Sequence, residues 1–222
     1  MSEARLKLQA RKDAVDSTRI GLQGGVYTGF TNIDVRSLED AVTRYGVAQA
    51  LLDGLATTEE GLAVRDILPD LDFLMPGGAA VPQREWIQPA SGTFLATDAN
   101  TATQVYKTDT NSNNTKKVLI IYGLREVQAI FPTSPSATTV ALKSSAIIFK
   151  RSTTKTIDIW QIEIMETIPD RAVYGRTPIL YKKGDSARID FYPKRAAVST
   201  GTNDFIILLG KVVEPIGENV VG

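Results

Sequence analysis

Most of the chain consists of short apolar runs, rich in β-branched and aromatic residues, that are separated by segments of Thr, Ser, Asn and Gly. From residue 84 onward, runs such as KKVLIIYGLREVQ, KTIDIWQIEIM and DFIILLGKVV recur at a spacing that predicts roughly eight to ten strands. Short strands at this density are typical of a β sandwich or barrel. The pattern therefore predicts a mainly β domain over 84–222.

The last of these runs, DFIILLGKVV, is apolar on both faces of the strand that it predicts. Phe205 and Ile207 fall on one face, whereas Ile206 and Leu208 fall on the other. A strand with one solvated face would alternate, so this strand is expected to be central or covered. We expect its cover to be either the helical segment described next or a neighbouring subunit.

Two short amphipathic helices are predicted upstream of the strands. The first begins at Ser37 as N-cap, carries apolar residues at three- and four-residue spacings, and stops at Gly54. The second is predicted over 57–68, with acidic residues in its first turn and Pro69 closing it. Each helix has one apolar face, which must pack on the other helix, on the β domain or on a partner chain. We assign 35–75 to this two-helix segment.

The first 34 residues show no sustained periodicity. They are locally basic and include the Gly-rich stretch GLQGGVYTGF, which contains two isolated aromatic residues. Segments of this kind do not fold alone but can lie extended on another surface. A disordered tail and an ordered arm both remain open, and we treat 1–34 as an extended N-terminal arm.

Two local patterns give further detail in the β domain. The Lys183–Asp185 segment predicts the turn of a hairpin, after which Ala187 and Ile189 alternate with polar residues. In TIDIWQIEIM the apolar parity shifts at Trp160, which indicates a β-bulge or a strand that changes sheets.

Composition excludes several classes of chemistry. Cysteine and histidine are both absent, so the chain offers no Ser-His-Asp triad, no thiol nucleophile and no His- or Cys-ligated zinc. The 25 basic residues balance the 25 acidic ones, which argues against a nucleic-acid partner. Neither a membrane-spanning run nor the apolar region of a signal peptide is visible, so we expect synthesis in the host cytoplasm and no membrane partner.

Three further patterns carry weak functional signals. DTNSNN at 109–114 has the spacing of calcium-loop ligands but lacks the expected Gly and bidentate Glu, so a polar turn is favoured. Glu163 and Glu166 form a carboxylate pair of the kind that glycosidases use, although a solvated strand face explains Glu163. Trp160 is expected in the core, and Trp86 is undecided between the core and sugar stacking. No catalytic residue, cofactor or metal site is therefore predicted.

The runs KKVLIIYGLREVQ, KTIDIWQIEIM, TPILYKKGDSARIDFYP and DFIILLGKVVEPIGENV together resemble the jelly-roll proteins of viral and phage capsids. This resemblance implies a jelly-roll-like sandwich or barrel in a non-enzymatic virion component, of the cement (decoration) or minor capsid type. It also implies assembly as a homotrimer or larger ring, with an arm that extends onto neighbouring capsid proteins. The two predicted helices depart from a bare jelly roll.

We therefore expect a structural virion protein of the capsid shell, with no cofactor and no specific nucleic-acid partner. The residues expected to contact a neighbour all lie in the arm, the apolar ones packing on it and the basic ones meeting an acidic surface: Arg5, Arg11, Lys12, Val26, Tyr27 and Phe30. Two alternatives stay open. One is a single jelly-roll major capsid protein, and the other is a module that binds a glycan or host receptor through loops 97–114 and 132–139, with Tyr106 as its loop aromatic.

Overall fold

The computed structural model describes the helical segment and the strands of the β domain. The described residues are 35–84, 86–87, 103–107, 116–127, 145–152, 154–162, 164–165, 171–193 and 205–217. The helices are α1 (Val35–Leu52) and the one-turn α2 (Pro69–Asp72), with 3-10 turns at Glu59–Gly61 and Pro76–Gly78. The strands are β1 (Leu62–Asp66), β2 (Thr103–Lys107), β3 (Val118–Val127), β4 (Ser145–Arg151), β5 (Lys155–Gln161), β6 (Ala172–Tyr181), β7 (Ala187–Pro193) and β8 (Phe205–Pro215).

These strands form two antiparallel sheets of four strands each. The order is β1-β8-β3-β6 in sheet A and β2-β7-β4-β5 in sheet B. β1 pairs with β8, β2 with β7, β3 with β6 and β4 with β5. The first four strands therefore run antiparallel to the last four as one long folded ribbon, and the turn between β4 and β5 is its closed end. Two further pairs, β3 with β8 and β4 with β7, form because the ribbon is rolled up, and they connect the strands into the two sheets. The predicted mainly β class is confirmed, in an arrangement compatible with a β sandwich.

The larger hydrophobic core combines residues of both sheets. Leu208 of sheet A and Phe149 of sheet B belong to it, and both are buried. The alternation predicted for β7 is confirmed, since Ala187, Ile189 and Phe191 all lie in this core. Alternate residues of a strand point to opposite faces, which is why β7 contributes every second side chain.

Part of the second face of β8 is covered by α1 of the same chain. Leu38 and Val42 of α1 form a smaller core with Ile120 of β3 and Val213 of β8. The doubly apolar strand therefore lies between β1 and β3, with the larger core on one side and a helix on the other. Of the two expected covers, the helical segment is found over Leu209 and Val213, whereas Phe205 and Ile207 on the same face are only half-buried.

Gly46 lets α1 approach sheet A closely. A Cβ at this position would lie 2.6 Å from Ile120 Cδ1 and 2.8 Å from Val213 Cγ2, which is too close for real atoms. The helix begins at Val35, two residues before the predicted N-cap. It ends before Gly54, whose positive φ of 66° fits the predicted stop.

Two polar contacts attach α1 to the strands and turns beneath it. The Tyr122 hydroxyl, on the extra residue of a β-bulge in β3, donates to Glu39 Oε1 at 2.8 Å. Burial, together with the Glu39 carboxylate, raises the pKa of Tyr122 above its usual value, so the phenol remains a donor. At the other end, Asp53 Oδ2 accepts from the Lys183 backbone N–H at 3.0 Å.

The second predicted helix is wrong. Residues 57–68 contain a 3-10 turn followed by β1, which pairs with β8 at the edge of sheet A. The apolar residues of GLAVRDIL fit a helical stripe and a strand alike, and the available β8 edge decides between them. The second helix of the structure, α2, begins at Pro69 instead of ending there. Sheet A therefore starts upstream of residue 84, where the β domain was expected to begin.

Two local predictions need correction. The Lys183–Asp185 segment does turn the chain, with a positive φ at Gly184, but it joins β6 of sheet A to β7 of sheet B and so does not close a β-hairpin. The irregularity predicted in TIDIWQIEIM is a β-bulge at Ile157, not at Trp160. The register with β4 sets this position, and the apolar parity of β5 alone does not carry that register.

Candidate functional site

The arm residues expected to contact a neighbouring capsid protein lie outside the described residues: Arg5, Arg11, Lys12, Val26, Tyr27 and Phe30. The carboxylates Glu163 and Glu166 and the DTNSNN segment lie outside them as well. The arm contact, the carboxylate pair and the polar turn therefore stay predictions.

The aromatic residues considered for sugar binding lie in the core or pack against it. Trp160 is 5% exposed and meets Phe149 edge-on at 4.8 Å between ring centroids, which confirms its predicted core position. Tyr106 lies in β2, is fully buried and stacks on Phe73 at 5.2 Å. The prediction of Tyr106 as a loop aromatic for glycan contact is therefore wrong, because strand alternation turns it inward. Trp86 is half-buried and packs against the same core.

Four charged side chains meet where α2 packs against the strands. In this group, here called the Asp72 cluster, Arg65 donates to both oxygens of Asp72 at 2.8 Å and to Glu214 Oε1 at 2.5 Å. Lys117 Nζ donates to Asp72 Oδ1 at 2.9 Å, and the Leu68 backbone N–H donates to Asp72 Oδ2 at 2.7 Å. The cluster thus joins β1, β8, α2 and the residue that precedes β3.

The electrostatics of the Asp72 cluster indicate a structural role. Burial alone would raise the pKa of Asp72, but the hydrogen bonds from Arg65 and the charge of Lys117 outweigh it and hold this pKa below its usual value. Burial likewise opposes the charge of Arg65, yet its bonds to Asp72 and Glu214 raise its pKa above the usual value. Asp72 therefore stays ionised, whereas a general acid or base needs a pKa near the working pH. Two cations also balance two anions, which leaves no excess charge for a ligand.

A second buried carboxylate, Asp190, lies on the outward side of sheet B. Its side chain is 0% exposed and accepts from Lys150 Nζ and from Arg188 Nε, each at 2.6 Å. The sequence pattern predicts that Asp190 lies on the solvated side of β7. The structure places it on that side, but Lys150 and Arg188 cover its carboxylate there. Since Lys150 belongs to β4, the contact clamps two neighbouring strands.

Searches for metal-binding and membrane-spanning features find neither within the described ranges. No group of three or more acidic side chains there is placed to hold a metal ion. No helix in that part of the chain combines the length and apolarity needed to cross a bilayer.

The exposed apolar surface of sheet B lies on β5, one of the two edge strands in that sheet's order. Ile157 is 37% exposed and Ile159 is 48% exposed, and Thr156 and Gln161 beside them are exposed too. We call these four residues the β5 patch. On sheet A, α1 covers part of the outward face, and the exposed Val64 and Ile216 lie on β1 and just after β8. We take the β5 patch as the candidate interaction surface because its two isoleucines lie on one strand. Sequence reasoning missed it because the apolar run gives no sign of which parity faces solvent.

Comparison with known proteins identifies no relative: no family model matches the chain, and neither a characterised protein nor a solved structure matches it significantly. The functional interpretation therefore depends on the strand topology and on the surfaces described above.

Proposed function

We propose that this chain is a structural virion protein that assembles into or cements a viral capsid shell, with phage heads as the first candidates, and that it has no catalytic role. The observation that carries the proposal is the nested pairing of eight strands in two four-stranded sheets. A folded ribbon rolled in this way is the plan of the eight-stranded jelly roll, which capsid proteins share with lectin domains and cupins. Because a fold hosts many functions, the surfaces must narrow the choice.

The cover of β8 by α1 supports the cement role in particular. Leu208 and Val212 of this strand lie in the larger core and Val213 lies in the smaller one, so both cores are built within one chain, although Phe205 and Ile207 stay half-buried. A subunit of this kind can fold first and then dock on a shell that already exists. In this proposal the docked form is a homotrimer, and the arm over 1–34 reaches the neighbouring capsid proteins.

The alternatives differ in what they need from the chain. A single jelly-roll major capsid protein would use the same fold and would form the shell itself. A glycan- or receptor-binding module needs exposed aromatic or polar groups on its loops, and the burial of Tyr106 removes the one loop aromatic that favoured it. The cement role is therefore our first choice.

The test uses virus particles purified from a culture that carries this gene. Quantitative mass spectrometry should find the chain in a fixed copy number relative to the major shell protein, and the ratio should survive repeated gradient purification. Particles that lack the chain, or that lose it in proportion to washing, would contradict the proposal.

The arm is tested separately by adding purified chain back to particles stripped of it. A chain that lacks 1–34 should keep its circular dichroism spectrum but should no longer bind. Light scattering of both forms should give three times the chain mass for the full-length protein and a smaller mass after truncation. Unchanged particle binding by the truncated form would refute the role of the arm while leaving the virion assignment intact.

A further inference from the structure

The edge of sheet B that β5 forms is a possible site of unwanted strand pairing between copies of the chain. Within the described part of the chain, β5 pairs with β4 alone, so its other side forms an edge of sheet B there. A free edge offers N–H and C=O groups to any other extended strand, and it is a common route to aggregation. The exposed Ile157 and Ile159 would strengthen such pairing by adding apolar contacts.

Asp158 occupies a hydrogen-bonding position on this edge. Its Oδ1 accepts from the Ile159 backbone N–H at 2.8 Å, a contact on the exposed side of the strand, and its Oδ2 accepts from Trp160 Nε1 at 2.8 Å. Ile159 stands opposite Ile148 of β4 in the register. Because the Ile162 N–H bonds inward to Ser145, alternation along the strand turns the Ile159 N–H away from β4. Because Trp160 is held in the core, the indole fixes the carboxylate beside the edge.

The remaining edges carry other protections. The edge of β2 is covered at Lys107, which exchanges backbone hydrogen bonds of 2.7 and 3.0 Å with Leu74. The edge strand β6 contains Pro178, which has no N–H, within an irregular stretch of its pairing with β3. The fourth edge, β1, is only 5 residues long. On β5 the protection consists of the bulge at Ile157 and the carboxylate of Asp158.

We infer that Asp158 prevents β5 from pairing with β5 of a second copy of this chain, and we call it an edge guard. Its carboxylate accepts the Ile159 N–H, which is then not available to another strand, and it places a negative charge at the edge. Copies that meet must then do so through side chains or the arm, and not by extending sheet B from one subunit to the next. This inference concerns the isolated subunit and holds whether or not the chain belongs to a virion.

The test removes the Asp158 carboxylate and keeps the β5 strand. Asp158→Thr replaces the carboxylate with a good strand former that presents no charge at the edge. Light scattering over a concentration series should then show at least a doubling of the average mass relative to wild type. Thr156→Val is the matched control, because it adds apolar surface to the same exposed strand while the Ile159 N–H stays filled, and it should keep the wild-type mass. Adding Ile159→Lys to Asp158→Thr should restore that mass, since a lysine on an edge opposes pairing.

Each outcome decides the inference. A folded Asp158→Thr protein with the wild-type mass at all concentrations overturns it, and so does equal association of the Thr156→Val control. If Asp158→Thr does not fold, amide exchange in the wild-type protein decides instead. The Ile162 N–H donates inward to Ser145 at 2.9 Å, so by alternation the amide of Gln161 faces the same free edge as that of Ile159. Slower exchange at Ile159 than at Gln161 supports the guard, and equal rates refute it.

Discussion

Replacing Asp72 by Asn should reduce the free energy of unfolding by about 3–5 kcal/mol, the range expected when one partner of a buried ion pair is removed. The Asp72 side chain is 0% exposed and accepts four hydrogen bonds, two from Arg65 and one each from Lys117 and the Leu68 N–H, at 2.7 to 2.9 Å. An amide at this position loses the charge and turns an N–H₂ donor toward other donors. If the amide nitrogen replaces Oδ1, Lys117, whose side chain is 5% exposed, loses its acceptor on residue 72 and is left with the Leu71 carbonyl at 3.2 Å. If it replaces Oδ2, the Leu68 N–H and one N–H of Arg65 lose their acceptor.

The matched control is Asp66→Asn. Asp66 also forms an ion pair, with Lys211 at 2.6 Å, but its side chain is 75% exposed, so the same change should cost less than about 1 kcal/mol. Both variants are compared with wild type by urea unfolding, followed by circular dichroism and tryptophan fluorescence. If the two substitutions cost the same, the Asp72 cluster does not hold β1, β8 and α2 together as argued here.

Two further predictions concern acid and helix packing. Because the folded-state pKa of Asp72 is depressed, its stabilisation is complete above the unfolded-state pKa of about 3.9 and is lost as the pH falls through the lower folded-state value. The Asp72→Asn variant should therefore lose less stability than wild type between neutral pH and about pH 2, measured by urea unfolding at each pH. Gly46→Ala should destabilise the protein by about 1–2 kcal/mol despite its better helix propensity, because the new Cβ overlaps Ile120 and Val213. The exposed Arg44→Ala in the same helix should change stability by less than about 0.5 kcal/mol, and an equally small effect of Gly46→Ala would contradict the close approach of α1.

The class of the fold could be predicted because each strand carries its own periodicity. The alternation of Ala187, Ile189 and Phe191 reports one buried face, and the doubly apolar β8 reports a covered one, without knowledge of any partner. Which strands pair with each other could not be predicted in the same way. Arg65 of β1 and Glu214 of β8, for example, are 149 residues apart, and no local pattern links them. The segment 57–68 shows the same limit, because a stripe that fits helix and strand alike is decided by the strand beside it.

The charged groups escaped prediction for a related reason. The Asp72 cluster takes its members from β1, α2, the residue before β3, and β8, so their sequence spacing carries no motif. Asp190 has the parity of a solvated residue, and only the fold places Lys150 and Arg188 over it. For Asp158, the local sign is a carboxylate between two isoleucines on one strand. This local pattern does not show that β5 lies at the edge of its sheet.

The size of the β5 patch limits what it can do in an assembly. Full burial of an isoleucine is worth about 1.5–3 kcal/mol, so burying the exposed 37% of Ile157 and 48% of Ile159 would contribute roughly 1–3 kcal/mol in total. Association of two proteins costs an estimated 4–15 kcal/mol in lost freedom of motion, so the patch alone cannot hold subunits together. Pairing through β5 would add hydrogen bonds, but Asp158 opposes it. If the chain assembles, most of the binding energy must therefore come from other residues, and the arm over 1–34 is the segment that our proposal assigns to this contact. Removal of the arm should then abolish assembly, whereas substitution of Ile159 by Thr should only weaken it.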